Sequence, residues 1–332
     1  KALELKPVSE VIVPPITDPG GVMPVPLLTS IPVPADAAPG SYNTGAEQIE
    51  ARINDRPRAI IVAHISGLPC DMDPIMELAR SRNIPVIEDC AQAHGAAYKD
   101  RKVGSIGDIA AFSTMFGKHH ATGGQGGIVY TRRQVLYSKA RQAADRGKRF
   151  GIEGAASNVS ASLNLNSDEL SCAIGRVQLQ KLPQFMESRR AFALAVTREC
   201  KRSLRTVCAV EELPGSMGTF WFLFLKLNLD LIRVGKKEFV TAVRERGIPA
   251  EAGYWNTPIH QEWFKKHNVF GAPGYPWSSP DYKGDANAIY ELPNVTATEA
   301  CHFRLMMHEN CGEQEMQSVI SVLQDVEEQF IR

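Results

Sequence analysis

The segment FSTMFGKHHATGGQGG, from Phe112 to Gly127, sets a lysine, two histidines and a run of glycines behind an apolar stretch. A lysine amine can condense with a carbonyl, whereas paired histidines suggest a metal or a proton relay. Adjacent side chains diverge, and metal-binding histidines are usually several residues apart, so His119 and His120 make a poor metal site and no metal is expected. Lys118 is the stronger candidate, and an acid is placed to serve it. IPVIED ends in Asp89, and DIAAFS ends in Ser113, five residues before Lys118. The 29 positions between Asp89 and Lys118 allow one excursion between neighbouring strands, so both groups can reach one edge of a sheet. A lysine and an acid in one pocket suit pyridoxal 5′-phosphate (PLP). The amine bonds the aldehyde, and the acid keeps the pyridine nitrogen protonated so that the ring withdraws electrons.

The elements that must position these groups follow an α/β pattern. Short β-branched runs at 10–14, 31–35, 59–64, 85–88, 108–113 and 126–131 are expected strands, with helices over 45–53, 72–82 and 133–146. The runs are nearly continuous in apolar residues, which predicts a mostly parallel central sheet buried on both faces and flanked by helices. Ligands of such sheets gather beyond the carboxyl ends of the strands. Residues 168–202 read as helix with Pro183 as the break. TFWFLFLKLN is an expected strand, KKEFVTAVRERG a helix ended by Gly247, and EQEMQSVISVLQDVEEQFIR a closing amphipathic helix. VFGAPGYPWSSPDYKGDAN is an expected irregular loop. The expected division is a large PLP-binding domain over 1–180, followed by a linking helix and a smaller α+β C-terminal domain over 181–332.

Composition narrows the partners. The 332 residues carry 37 Lys and Arg against 37 Asp and Glu, which argues against a nucleic-acid or anionic-membrane footprint. No apolar run is long enough to cross a bilayer. Seven cysteines without CxxC spacing read as reduced thiols of a cytoplasmic protein. The chain opens on Lys and runs at once into LELKPVSEVIVPP, so it reads as lacking its N-terminus.

The stretch VIEDCAQAHGAAYKDRKVGSIGDIAAFSTMFGKHHATGGQGGIVYT resembles the core of the DegT/DnrJ/EryC1/StrS sugar aminotransferases, PLP enzymes of fold type I within the aspartate aminotransferase superfamily. The likeness extends from KPVSEVIVPPITDPG to SLNLNSDELSCAIGRVQLQKL and is looser beyond. It implies Lys118 as the Schiff-base lysine and proton carrier. It implies Asp89 as the partner of the pyridine nitrogen, Gln92 of the ring hydroxyl and Ser113 of the phosphate. Asn164 matches the asparagine that reaches the phosphate from the other subunit of a homodimer. The resemblance also implies an amino-acid donor, glutamate, and a keto-sugar acceptor, free or nucleotide-linked, in amino-sugar and polysaccharide or lipopolysaccharide biosynthesis. MFGKHH and HEN are faintly similar to the branch acting on 8-oxo-3-deoxyoctulosonate.

Three departures stand out. Asn166 occupies the arginine position of the family's GYNxR, Gln125 replaces an acidic residue, and a Gly/Ser/Thr phosphate-binding turn upstream of LKPVSEVI is missing. The missing turn predicts weakened cofactor binding.

Substrate contacts are expected from His119, Tyr254, His260 and His308, although packed histidines are the plainer reading of the last two. Arg146, Lys148 and Arg149 are by default a solvated loop. Alternatives are a sugar 3-dehydratase of the same fold, with histidine in place of the lysine, and a catalytically inactive cofactor-binding homologue. A nicotinamide dehydrogenase lacks its GxGxxG fingerprint.

Overall fold

A computed structural model describes the whole chain except Gly151, Trp255, Ala272 and Pro273. Trp255 belongs to the GYWNTPIH stretch, and Ala272 and Pro273 to the expected loop; these positions lie outside the described residues. The β-branched runs form a six-stranded sheet in the order Ile31–Pro34, Glu10–Val13, Pro57–Ala63, Val86–Asp89, Ile109–Ser113 and Gly127–Tyr130. All neighbours run parallel except the last pair. Asp89 closes its strand, in register with Ala63 on one side and Ala111 on the other. The helix Met72–Ser81 buries Met72, Ile75, Met76 and Ala79, spaced to present one face to the sheet core of Ile60, Val62 and Val86.

Two expectations are corrected. The strand Gly127–Tyr130 is not buried on both faces: Ile128, Val129 and Tyr130 are exposed, because this strand is the edge of the sheet among the described residues. Pro183 does not break the helix, which runs unbroken from Glu169 to Ser203. Pro183 is exposed, so the carbonyl that loses its N–H partner can turn to water. Apart from Gly175, the buried residues lie in the later half of this helix, where Phe192, Val196 and Cys200 pack on the second unit.

That second unit is an antiparallel sheet in the order Ala250–Glu251, His302–Met306, Phe222–Leu227 and Val207–Ala209. The helices Lys236–Glu245 and Glu313–Phe330 cover it, and Leu225, Phe239, Phe303 and Leu323 meet in its core. A small sheet pairs Ser216–Met217 with Ala97–Tyr98 and so ties this unit to the large one. Among the described residues, no helix is long and apolar enough to cross a membrane.

Beneath the carboxyl edge lies Glu88, fully buried. Its carboxylate accepts the amide protons of Gly104, Ile106 and Gly107 at 2.6–2.8 Å and the Nε2 proton of His64 at 3.1 Å. His64 Nδ1 in turn accepts the Cys70 amide at 3.0 Å. Burial pushes the Glu88 carboxyl up, but His64 and the amides outweigh it and hold the group below its usual value. Although His64, Glu88 and Cys90 lie within reach of a common ion, these bonds already occupy both the carboxylate and His64 Nδ1. Glu88→Ala strips two buried amides and one half-buried amide of their acceptor and should cost about 3–5 kcal/mol in chemical denaturation. A loss below about 1 kcal/mol would show that water replaces the carboxylate.

Candidate active site

The turn after Val13 carries PITDPGG across the end of the sheet, bringing Thr17 to Asp89. Asp89 Oδ1 accepts the Ala91 amide at 3.0 Å, while Oδ2 has only Thr17 Oγ1 at 3.5 Å. A Cβ at Gly21 would lie 2.7 Å from Oδ2, so this position must be bare for the carboxylate to keep its space. Burial raises the Asp89 carboxyl above its usual value, partly offset by the Ala91 amide and the charge of Lys118.

Lys118 leaves the strand Ile109–Ser113 through a turn in which its amide donates to the Met115 carbonyl at 2.9 Å. Its ammonium lies 3.6 Å from the centroid of the Trp221 ring. Burial pushes the amine down to about 8, against the pull of Asp89 and Asp18. Ser113, half-buried at the neighbouring strand end, accepts the Met115 amide at 3.3 Å.

Gln92 is buried and doubly held: Ser66 N–H donates to its Oε1 at 2.7 Å, and its Nε2 donates to Tyr254 Oη at 2.8 Å. Tyr254 is therefore joined to the site, and burial pushes its phenol up to about 12. His119 and His120 are both buried and donate from Nε2 to the carbonyls of Thr219 (3.1 Å) and Gly175 (2.9 Å), so they shape the wall behind the lysine. His94 packs tilted or edge-on among Phe112, His119 and His120 at centroid distances of 5.5–6.2 Å, with neither ring nitrogen within hydrogen-bond distance of a partner among the described residues. Burial lowers it to about 4, which keeps the ring neutral.

Other expected residues stand apart. Asn164 is exposed and bonds Asn166 at 2.8 Å. His260 is exposed at the end of a short helical turn, and His308 is exposed with its Nδ1 accepting the Asn310 amide at 3.2 Å. A hollow of about 650 Å³ lined by Cys200, Arg205, Lys226 and Cys301 belongs to the small sheet rather than to this site. Sequence reading missed Thr17, Asp18, His94 and Trp221. His94 lies within the same stretch as Asp89 and Gln92, and Thr17 and Asp18 lie within KPVSEVIVPPITDPG, whereas Trp221 carried no signal.

The residues present fit PLP: one Asp89 oxygen is open to a pyridinium proton, Gln92 keeps a second amide proton, and a weakly basic amine stands nearby. A half-buried hydroxyl at Ser113 closes the next strand. This is the arrangement of a PLP-dependent transaminase of fold type I. The sequence profile of the DegT/DnrJ/EryC1/StrS aminotransferase family matches residues 1–324, and the chain belongs to that family. Over 272 residues it is 29% identical to a GDP-perosamine synthase of Escherichia coli O157:H7, a match spanning 81% of this chain and 72% of that protein. It is 34% identical over 254 residues to a dTDP-3-amino-3,6-dideoxy-alpha-D-galactopyranose transaminase of Aneurinibacillus thermoaerophilus, spanning 76% and 66%. The solved structure of an aminotransferase from Psychrobacter cryohalolentis, 26% identical, superimposes with a TM-score of 0.86 over 99% of this chain and 83% of that one.

The charge of Asp89 favours the protonated amine, so Asp89→Asn should lower the Lys118 pKa further below about 8. Acetic anhydride labelling of the cofactor-free chain across a pH series measures it. A rise on substitution would contradict the proximity of the two groups.

Proposed function

We propose that the chain transfers an amino group from glutamate to a nucleotide-linked keto-sugar, as a cytoplasmic homodimer in which Asn164 serves the partner's site. The names of the two sugar-nucleotide relatives support the acceptor class, and the exposure of Asn164 leaves it open to a second copy. Free thiols at all seven cysteines suit a reducing compartment. The reading is carried by Lys118 and Asp89, each close enough for its charge to shift the other.

When bound, PLP supplies an aldehyde and an electron-withdrawing ring. Asp89 would hold the pyridine N–H, Gln92 the ring hydroxyl and Ser113 the phosphate. With an amine pKa near 8, about a tenth of Lys118 is neutral at pH 7, enough to act as nucleophile and then to take and return the substrate α-proton. Tyr254, fixed by Gln92, would read an acceptor hydroxyl. The sugar dehydratase reading, with histidine in the lysine's role, is disfavoured because His119 is buried and committed to the Thr219 carbonyl.

Borohydride reduction in the presence of PLP should fix the pyridoxyl group on Lys118, located by peptide mass spectrometry. Glutamate with a panel of nucleotide-linked keto-sugars should then release 2-oxoglutarate, and Lys118→Ala should lower this rate at least about a thousandfold. A label on another residue, or an unimpaired variant, defeats the proposal.

A further inference from the structure

Lys118 is flanked by two carboxylates, Asp89 and Asp18, yet among the described residues it forms no ion pair. Its ammonium instead lies over the indole of Trp221, 3.6 Å from the centroid. The indole is anchored at both ends. Its Nε1 donates to the carbonyl of Gly117, the residue preceding the lysine, at 2.9 Å. Its backbone amide donates to the Ser66 carbonyl at 2.9 Å, and its carbonyl accepts from buried Arg189 at 3.3 Å. One ring thus grips the lysine turn by a hydrogen bond and the lysine head by its face.

We propose that Trp221 is the positioning residue of the Lys118 amine, its indole face holding the free ammonium beside Asp89 whenever the lysine is not bonded to the cofactor. The chemistry favours this grip over an ion pair. A π face attracts the ammonium by its quadrupole and releases the neutral amine, whereas a close carboxylate keeps the lysine charged and fixed. The other titratable groups facing the amine are His94 and His119, both neutral through burial, together with Asp89 and Asp18. The inference rests on the reading of Lys118 as the cofactor lysine.

The test compares Trp221→Phe with Trp221→Leu in the full, cofactor-free chain, measuring acetic anhydride labelling of Lys118 by peptide mass spectrometry across pH. Leucine keeps the site dry but removes the quadrupole, so the charged amine loses support. The labelling midpoint should fall about half to one pH unit below about 8 with leucine, and less with phenylalanine. Equal shifts in the two variants, or a rise with leucine, would overturn the assignment, since either makes the indole a mere water shield. A second readout needs no change at Trp221: the difference in tryptophan emission between the wild type and Lys118→Met should titrate with a midpoint near pH 8. A flat difference also overturns the proposal. Neither readout requires cofactor, so failed borohydride labelling of Lys118 would remove the functional reading while leaving this contact separately measured.

Discussion

The carboxylate of Glu88 decides where its neighbour points. Successive side chains of a strand leave on opposite faces, and Glu88 is committed to one of them by three loop amides and His64. A slip of one residue would bury Asp89 in that nest and turn Glu88 toward the cofactor side. The Asp89 carboxylate, one methylene shorter, would leave part of these donors unpaired and would turn the apolar side chains to the wrong faces, so the register of Val86–Asp89 between its neighbours is fixed from below. The acid of the site is thus positioned by an acid that takes no part in the chemistry.

Above that floor, the amine of Lys118 answers to opposing forces. Burial disfavours its charge, while Asp89 and Asp18 favour it. Burial prevails and leaves an amine that loses its proton near neutral pH, although a lysine in water holds its proton to well above that. The histidine wall acts through burial and not through charge: His94 and His119 are both kept unprotonated, so they add no positive charge that would lower the amine further. Were that wall solvated, the balance would move back toward the ordinary lysine.

The strands of the sheet, and the placing of Asp89 at the end of one strand and Lys118 past the end of its neighbour, were legible because each is encoded locally. A β-branched run ending in an acid, and a lysine five residues past the next run, need no distant partner to be recognised. Gln92 and Tyr254 were both singled out, but their bond spans 162 positions and left no trace in either stretch. Trp221 escaped notice for a related reason: within TFWFLFLKLN it is one more apolar residue, and only the packing of two units turns its ring onto the lysine. Pro183 misled because a helix tolerates proline where its freed carbonyl meets water, and exposure is a tertiary property. The edge strand misled because apolar content was taken for burial on both faces.

The two units meet where the chemistry is most sensitive to position. Ser66, in the left-handed region at φ 61°, donates from Oγ to the Phe222 carbonyl, and its own carbonyl takes the Trp221 amide at 2.9 Å. Gly67 follows at φ 83°, where a Cβ would fall 2.7 Å from the Phe220 nitrogen and 2.9 Å from the Gln92 carbonyl. Only glycine lets the large-domain turn, the Gln92 backbone and the segment leading into the strand Phe222–Leu227 approach so closely. Arg189 clamps this junction from the long helix, donating to the carbonyls of Phe220 and Trp221, just before the strand Phe222–Leu227, and of Met307, just after His302–Met306, at 3.1–3.3 Å. Gln92 with Tyr254 and Trp221 with Lys118 therefore hang on one backbone junction. A displacement of the small unit cannot reach the ring over the lysine without also disturbing the Gln92–Tyr254 bond, and this shared support makes the second unit part of the candidate site.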